Sequence, residues 1–301
     1  MSHKNTKKTN IFVSLNIEKN MSIKSMPLWK WILLLIASFF LALLMYGFSG
    51  FPLVYFKGWP LWVVNTLVSV LMIVLYGVFV RWFEGEKPKD LPLARCAGHT
   101  GLGLATGLGY FIVVVGIMMV FGLYKINGIH AEWSALADAF FWFLIVAVGE
   151  EIVFRGVLFR WIDERFGFWW AMIVSGLIFG LVHIMNDNAT LWSGIAIALE
   201  AGLLLGAAYK WAGTLWFPIG IHWAWNFSQG NIFGFAVSGN AAGETLIQAS
   251  IEGPEWLTGG AFGAEASVIA TVIGLALTAV FCLLRFGKFG PQAHAGDGSV
   301  S

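Results

Sequence analysis

Eight stretches of this chain, near residues 29–50, 60–81, 100–123, 134–156, 168–186, 192–209, 213–230 and 267–286, are predominantly apolar and separated by polar breaks. A helix rises about 1.5 Å per residue, so roughly 20 apolar residues cross the hydrocarbon core of a bilayer. Inside hydrocarbon every backbone N–H and C=O needs a partner, and a lone segment finds all of them only as a helix. The sequence therefore predicts an all-α, polytopic membrane helical bundle of about eight transmembrane helices. The sixth and seventh are the weakest, being short and interrupted by Glu200, Pro218, His222 and Asn226. Composition agrees: 58% hydrophobic against 12% charged leaves more apolar surface than a soluble globule can bury. The net charge of +1 gives no electrostatic footing for nucleic acid. Cys96 and Cys282, far apart, fit neither a metal spacing nor a disulfide framework.

Residues 1–28 read as a polar leader without fixed structure, 29–290 as one membrane-embedded domain, and 291–301 as a flexible tail. The first span follows the Lys-rich leader, but its apolar core is too long for a secretory signal, so it is read as an uncleaved anchor. Alternating the spans from a cytoplasmic N-terminus puts all but Lys57 and Lys125 of the 18 Lys and Arg inside, as the positive-inside rule expects. Both termini are thus assigned to the cytoplasm and the Gly-rich, acidic stretch 231–266 to a long outer loop. Gly101, Gly103, Gly107 and Gly109 in the third span read as helix-packing positions. Trp59, Trp133, Trp192 and Trp216 fall near span ends, where indole rings anchor at the interface.

An ionisable side chain at membrane depth costs about 2.5–3.5 kcal/mol even on the lenient insertion scale, so each needs a partner or a task. The candidates are Asp138, Glu150, Glu151, Arg155, His183, Glu200 and His222. In "EEIVFR", Glu151 and Arg155 stand at i and i+4 with the acid on the N-terminal side, the favourable order for an ion pair. Glu150 is rotated by about 100° from its neighbour, which leaves it available for proton transfer. Taken alone, such a cluster equally well fastens helix ends. Two further spans shift that reading. "FGLVH" sets Phe179 one turn before His183, and "HWAWN" puts His222 and Asn226 on one face. Pro218 and Gly220 loosen and thin the same helix, as a wet cavity would need. At about 1.5 Å per residue, Glu150 lies ~15 Å from the cytoplasmic end, His222 ~14 Å and His183 ~22 Å, compatible with one site once helices tilt by about 20°.

A carboxylate with imidazole to take a proton from water, and imidazole with amide to hold an oxyanion, suffices for peptide hydrolysis. Ser228 has no nucleophile-elbow setting and no HExxH occurs. Glu150, His183 and His222 could also hold a zinc ion with an open water position. Glu200 could line the same cavity, pair with a polar neighbour or stay protonated, and Asp138 reads as solvated.

The ordered blocks Glu150, Glu151 and Arg155 (EExxxR), Phe179 and His183 (FxxxH), and His222 and Asn226 (HxxxN) resemble the CPBP group of intramembrane proteases. That group includes CAAX prenyl endopeptidases and bacterial proteins linked to bacteriocin self-protection. The resemblance runs over about 135–230. It implies an all-helical membrane endopeptidase whose site opens toward the cytosolic side, with a membrane-tethered peptide as partner. Glu150 and His183 would activate water, His222 and Asn226 would form the oxyanion hole, and Glu151 and Arg155 would support them. It further implies a glutamate-dependent mechanism with no obligatory cofactor, a divalent metal such as zinc being the alternative. A bacterial plasma membrane is the expected location. Two other classes compete: a proton-coupled transporter, in which buried Glu and His form a relay, and a non-catalytic immunity or binding protein.

Overall fold

A computed structural model describes residues 26–48, 60–85 and 87–287. Most of the expected leader, the 291–301 tail, Lys57 and Trp59 lie outside them. Each of the eight apolar stretches is helical. They form α1 (Leu28–Phe48), α2 (Leu61–Phe83), α3 (Cys96–Val120), α4 (Trp133–Glu151) continuing into α5 (Arg160–Phe166), α6 (Phe168–His183), α7 (Leu191–Ile197) continuing into α8 (Leu203–Ala212), α9 (Trp216–Phe227) and α10 (Val268–Phe286). Among the described residues, four helical runs are long and apolar enough to cross a membrane: Leu61–Trp82, Leu93–Val120, Leu191–Ala212 and Val268–Phe286. Leu28–Leu44 and Phe168–His183 are shorter apolar helices. The chain is a helical membrane protein.

Local chemistry sets the breaks. Gly167 (φ 91°) separates α5 from α6, and Gly213 (φ 64°) ends α8 in the left-handed region that favours glycine. Thr190 and Ser193 cap α7 reciprocally, at 3.0 and 2.8 Å. Ser267 accepts from the Ala270 N–H to start α10.

One end of the bundle is tied by charge. Arg160 grips both oxygens of Glu84 at 2.6 and 2.5 Å, Lys210 pairs with Asp163 at 2.6 Å, and Tyr76 donates its hydroxyl between Asp90 and the Gly156 carbonyl. The opposite end carries a feature that corrects the all-α expectation. Tyr124–Ile129 (β1) pairs antiparallel with Ile247–Ile251 (β2), bulging between Ile126 and Gly128. The 231–266 stretch is therefore folded structure. Tyr124, buried, fixes the ribbon by donating to the Phe233 carbonyl at 2.9 Å and stacking on Phe235.

The glycines sort by contact. A Cβ on Gly103 would stand 2.3 Å from the Phe217 carbonyl oxygen, and one on Gly107 2.3 Å from that of Ile221, whereas Gly101 and Gly109 face open space. Gly220 does not thin a cavity wall; it meets Thr100 and Gly103 at the α3–α9 crossing. Trp216 is buried and donates to the Pro92 carbonyl rather than anchoring at an interface. Since α9 carries His222, Gly107→Val should cost about 1–3 kcal/mol or more by overpacking, while Gly109→Ala stays within about 0.5 kcal/mol. Unfolding in detergent measures both, and equal stability of the two variants would contradict the close crossing.

Candidate active site

Three helices bring the acids, the imidazoles and the amide together. Glu150 and Glu151 close α4, and the helix then widens to π geometry over Ile152–Phe159 before α5. Two more π turns, Ala198–Gly202 and Ser228–Ile232, follow α7 and α9. Such turns re-aim side chains and free carbonyls, and they concentrate at functional sites.

Arg155 is fully buried. Its Nη1 donates to Glu151 Oε1 at 2.9 Å, and its Nη2 to the carbonyls of Ala201 and Gly202 at 3.0 and 3.2 Å. Those carbonyls come close because glycine pairs line the α6 contact: a Cβ on Gly180 would stand 2.3 Å from the Gly194 oxygen, and one on Gly202 2.8 Å from Gly176. The guanidinium also lies 4.6 Å over the Phe179 ring. Phe179 in turn touches both His183 and His222 with its ring.

The partners fix the tautomers. His183 Nδ1 lies 2.7 Å from the Phe179 carbonyl; a carbonyl only accepts, so Nδ1 carries the hydrogen and Nε2 points elsewhere. His222 Nδ1 lies 2.8 Å from Glu151 Oε1, the same oxygen that accepts from Arg155, so this Nδ1 also donates. Both Nε2 atoms converge on Glu150: its Oε2 stands 4.0 Å from His183 Nε2 and 3.8 Å from His222 Nε2. These separations exceed a direct hydrogen bond and are of a length that a single water about 2.8 Å from Oε2 and from an imidazole nitrogen would span. Asn226 follows His222 one turn later, buried and facing the same space.

That space is a cavity of about 610 Å³ lined by Glu150, His183, His222 and Asn226 at its polar floor and by Trp142, Phe143 and Val146 on its wall. Its exposed rim is formed by Trp142 and Val182 at the side and by Asn240, Ala241, Gly243 and Glu244 at the ribbon end. The mouth thus lies away from the Arg160 end of the bundle.

As placed, the donors do not fit a tetrahedral zinc. Ligands about 2.0–2.1 Å from the metal would lie about 3.3 Å from one another, closer than the 3.8 and 4.0 Å seen here. Among the described residues no group of three His, Cys, Asp or Glu is set to hold a metal ion.

The remaining candidates separate from the site. Asp138 is half-buried and off the cavity lining. Ser228 is buried, its hydroxyl spent on the Ala224 and Trp225 carbonyls. Glu200 does not reach the cavity; it is fully buried and bonded to Tyr110 at 2.9 Å. The Tyr110 hydroxyl also lies 2.7 Å from the Ala270 carbonyl. The tyrosine hydroxyl thus donates between the Glu200 carboxyl and that carbonyl. Sequence reading missed Glu265, a fully buried carboxylate beside His183, Asn226 and Ser238. Its only sequence signal was an acid within a run of small residues, "GAEAS".

Residues 132–228 match the family described as Type II CAAX prenyl endopeptidase Rce1-like. The chain carries a domain of this CPBP family. All seven motif residues, from Glu150 to Asn226, fall within the Rce1-like domain, while the ribbon and Glu265 fall beyond it. The chain is also 32% identical over 103 residues to the "Uncharacterized protein YpbD" of Bacillus subtilis (strain 168). That stretch is 33% of this chain and 49% of the other protein, so the chain spans about half the length of this curated relative. No solved structure matches.

Proposed function

We propose that this protein is an intramembrane endopeptidase that hydrolyses a peptide bond in a membrane-tethered peptide, without a metal. The observation that carries this reading is the convergence of Glu150 Oε2 with two Nε2 atoms from separate helices, within 4.0 Å, on the floor of one cavity.

The tautomers divide the labour. His183 presents an Nε2 lone pair, so it and Glu150 accept from water and orient its oxygen at the scissile carbonyl carbon. As the C–O bond forms, one water proton passes to Glu150. His222 has Glu151 behind its Nδ1–H, and in its protonated form its Nε2–H donates to the oxyanion alongside the Asn226 amide. Collapse breaks the C–N bond, and the proton held by Glu150 leaves on the amine. Arg155 holds Glu151 in place at 2.9 Å, so its part is to support the carboxyl group behind His222.

The family to which residues 132–228 are similar is one of CAAX prenyl endopeptidases, which speaks for a prenylated CAAX-type substrate whose lipid would rest in the bilayer. The lateral rim at Trp142 and Val182 suits a substrate arriving from the membrane. We place the protein in a bacterial plasma membrane with both termini cytoplasmic, as the basic residues favour. The test is cleavage in proteoliposomes of a quenched fluorescent, C-terminally prenylated peptide, with products read by mass spectrometry. Wild type should cleave, and phenanthroline or EDTA should leave the rate within about twofold, because no step passes through a bound ion. Loss of cleavage with chelator, restored by zinc, would overturn the metal-free mechanism. Proton-coupled flux with no cleavage of this peptide, or of any membrane peptide, would favour the transporter.

A further inference from the structure

Glu265 reaches the site from a segment outside the family match. Residues 237–240 form a tight hook closed by Val237 and Asn240, whose backbones exchange hydrogen bonds at 2.8 and 2.9 Å. The hook is docked on the loop after α6: Asn186 donates to the Ser238 carbonyl at 3.0 Å and Asn188 to that of Gly239 at 2.9 Å. Gly239 (φ 86°) has no room for a side chain, since a Cβ would stand 1.7 Å from the Asp187 oxygen. The hook therefore has one seat, and it forms part of the cavity wall through Val237, Ser238 and Asn240.

Both oxygens of Glu265 are taken by N–H donors. Oε1 accepts from the Ser238 backbone and Oε2 from Trp225 Nε1 at 3.2 Å. Burial raises the Glu265 pKa, and His183 and the two donors oppose that rise. Trp225 directly precedes Asn226 on α9 and is itself wedged by stacking on Tyr110 at 4.1 Å. Beside these bonds lies a small void of about 10 Å³ whose polar lining is His183, His222, Asn226, Ser238 and Glu265. That is the room one ordered water needs, and the lining supplies more than the two polar partners it requires.

We propose that Glu265 is a positioning residue of the site, one that locks α9 through Trp225 and the hook through Ser238, and holds a buried water against His183 and Asn226. The proposal rests on the peptidase reading above. It places a carboxyl group beside the imidazoles, at a void that Glu150 does not line, and makes the segment beyond residue 232 part of the enzyme's machinery.

Single-turnover rates with enzyme in excess report the chemical step regardless of any inactive fraction, so they separate positioning from loss of fold. With the prenylated peptide, Glu265→Gln should slow that step about 10–100-fold, the usual effect of losing a supporting hydrogen-bond partner, while KM stays within about twofold. Glu265→Asp should recover part of the loss. Should Glu265→Gln fail to fold, Trp225→Phe removes one of its donors while keeping the ring stack, and should slow the step about tenfold. A high-resolution map of the wild-type protein should show one water between Glu265, His183 and Asn226. A folded variant with the wild-type single-turnover rate, or an empty void in that map, overturns the proposal. If instead the wild type and Glu150→Ala are equally inert on every membrane peptide tried, the peptidase reading fails, and the map alone then decides the placement of Glu265.

Discussion

Glu150→Gln is expected to lower the rate of peptide cleavage by about 10²–10⁴-fold, the range over which a positioned general base contributes. The substitution keeps the shape of the side chain, which is about 15% exposed at the cavity floor, and removes only the ability to take a proton. The amide can still bridge to the imidazoles through water, so substrate binding should change little and the loss should appear in kcat. Helical content and melting temperature should match wild type, because Glu150 belongs to the cavity and the buried ion pair uses Glu151 instead. His183→Ala should have a comparable effect through the loss of the Nε2 acceptor. Comparing membrane peptides by mass spectrometry, from cells carrying either form, reveals the substrates as species that accumulate with Glu150→Gln. Turnover at the wild-type rate by this variant would sink the assignment of Glu150 as base.

The long apolar periods were legible because helix formation in hydrocarbon is dictated by backbone hydrogen bonding and needs no tertiary information. The same holds for Glu151 and Arg155, whose i, i+4 spacing predicts the 2.9 Å pair even though the helix widens to π geometry at that point. What spacing could not supply was relations between helices. Nothing local says that His222 turns its Nδ1 to Glu151 and its Nε2 to Glu150, or that His183, estimated to lie deeper, meets the same acid. Sequence also gave no warning of the β-ribbon, since its strands are short, one is interrupted by a bulge, and their pairing joins residues far apart in the chain. Glu265 went unnoticed among the acids of the 231–266 loop for the same reason: burial there comes from the hook, α9 and the start of α10 folding over it. Local composition marks a loop, but it does not reveal that the loop turns inward.

Removing the charge of Arg155 alone should destabilise the protein by about 3–5 kcal/mol, because Glu151 would keep a fully buried charge with its main counter-ion gone. Arg155→Leu also leaves the carbonyls of Ala201 and Gly202 without their donor and empties the face of Phe179. The pair as a whole is a different matter. Replacing both partners with apolar residues is often near neutral, since the desolvation of both charges is avoided together. Arg155→Leu with Glu151→Leu should therefore regain a large part of the stability lost in the single variant. It should not regain activity, because His222 would have lost the carboxyl group that holds and orients its Nδ1–H. Reversible unfolding in mixed micelles measures the stabilities, and the peptide assay measures the rates. Recovery of both together would mean that the buried ion pair serves the fold alone; a cost under about 1 kcal/mol for Arg155→Leu, the scale of a surface pair, would mean that Glu151 carries no charge at that depth. Stability restored while cleavage stays lost is the outcome expected of a charge pair kept for chemistry.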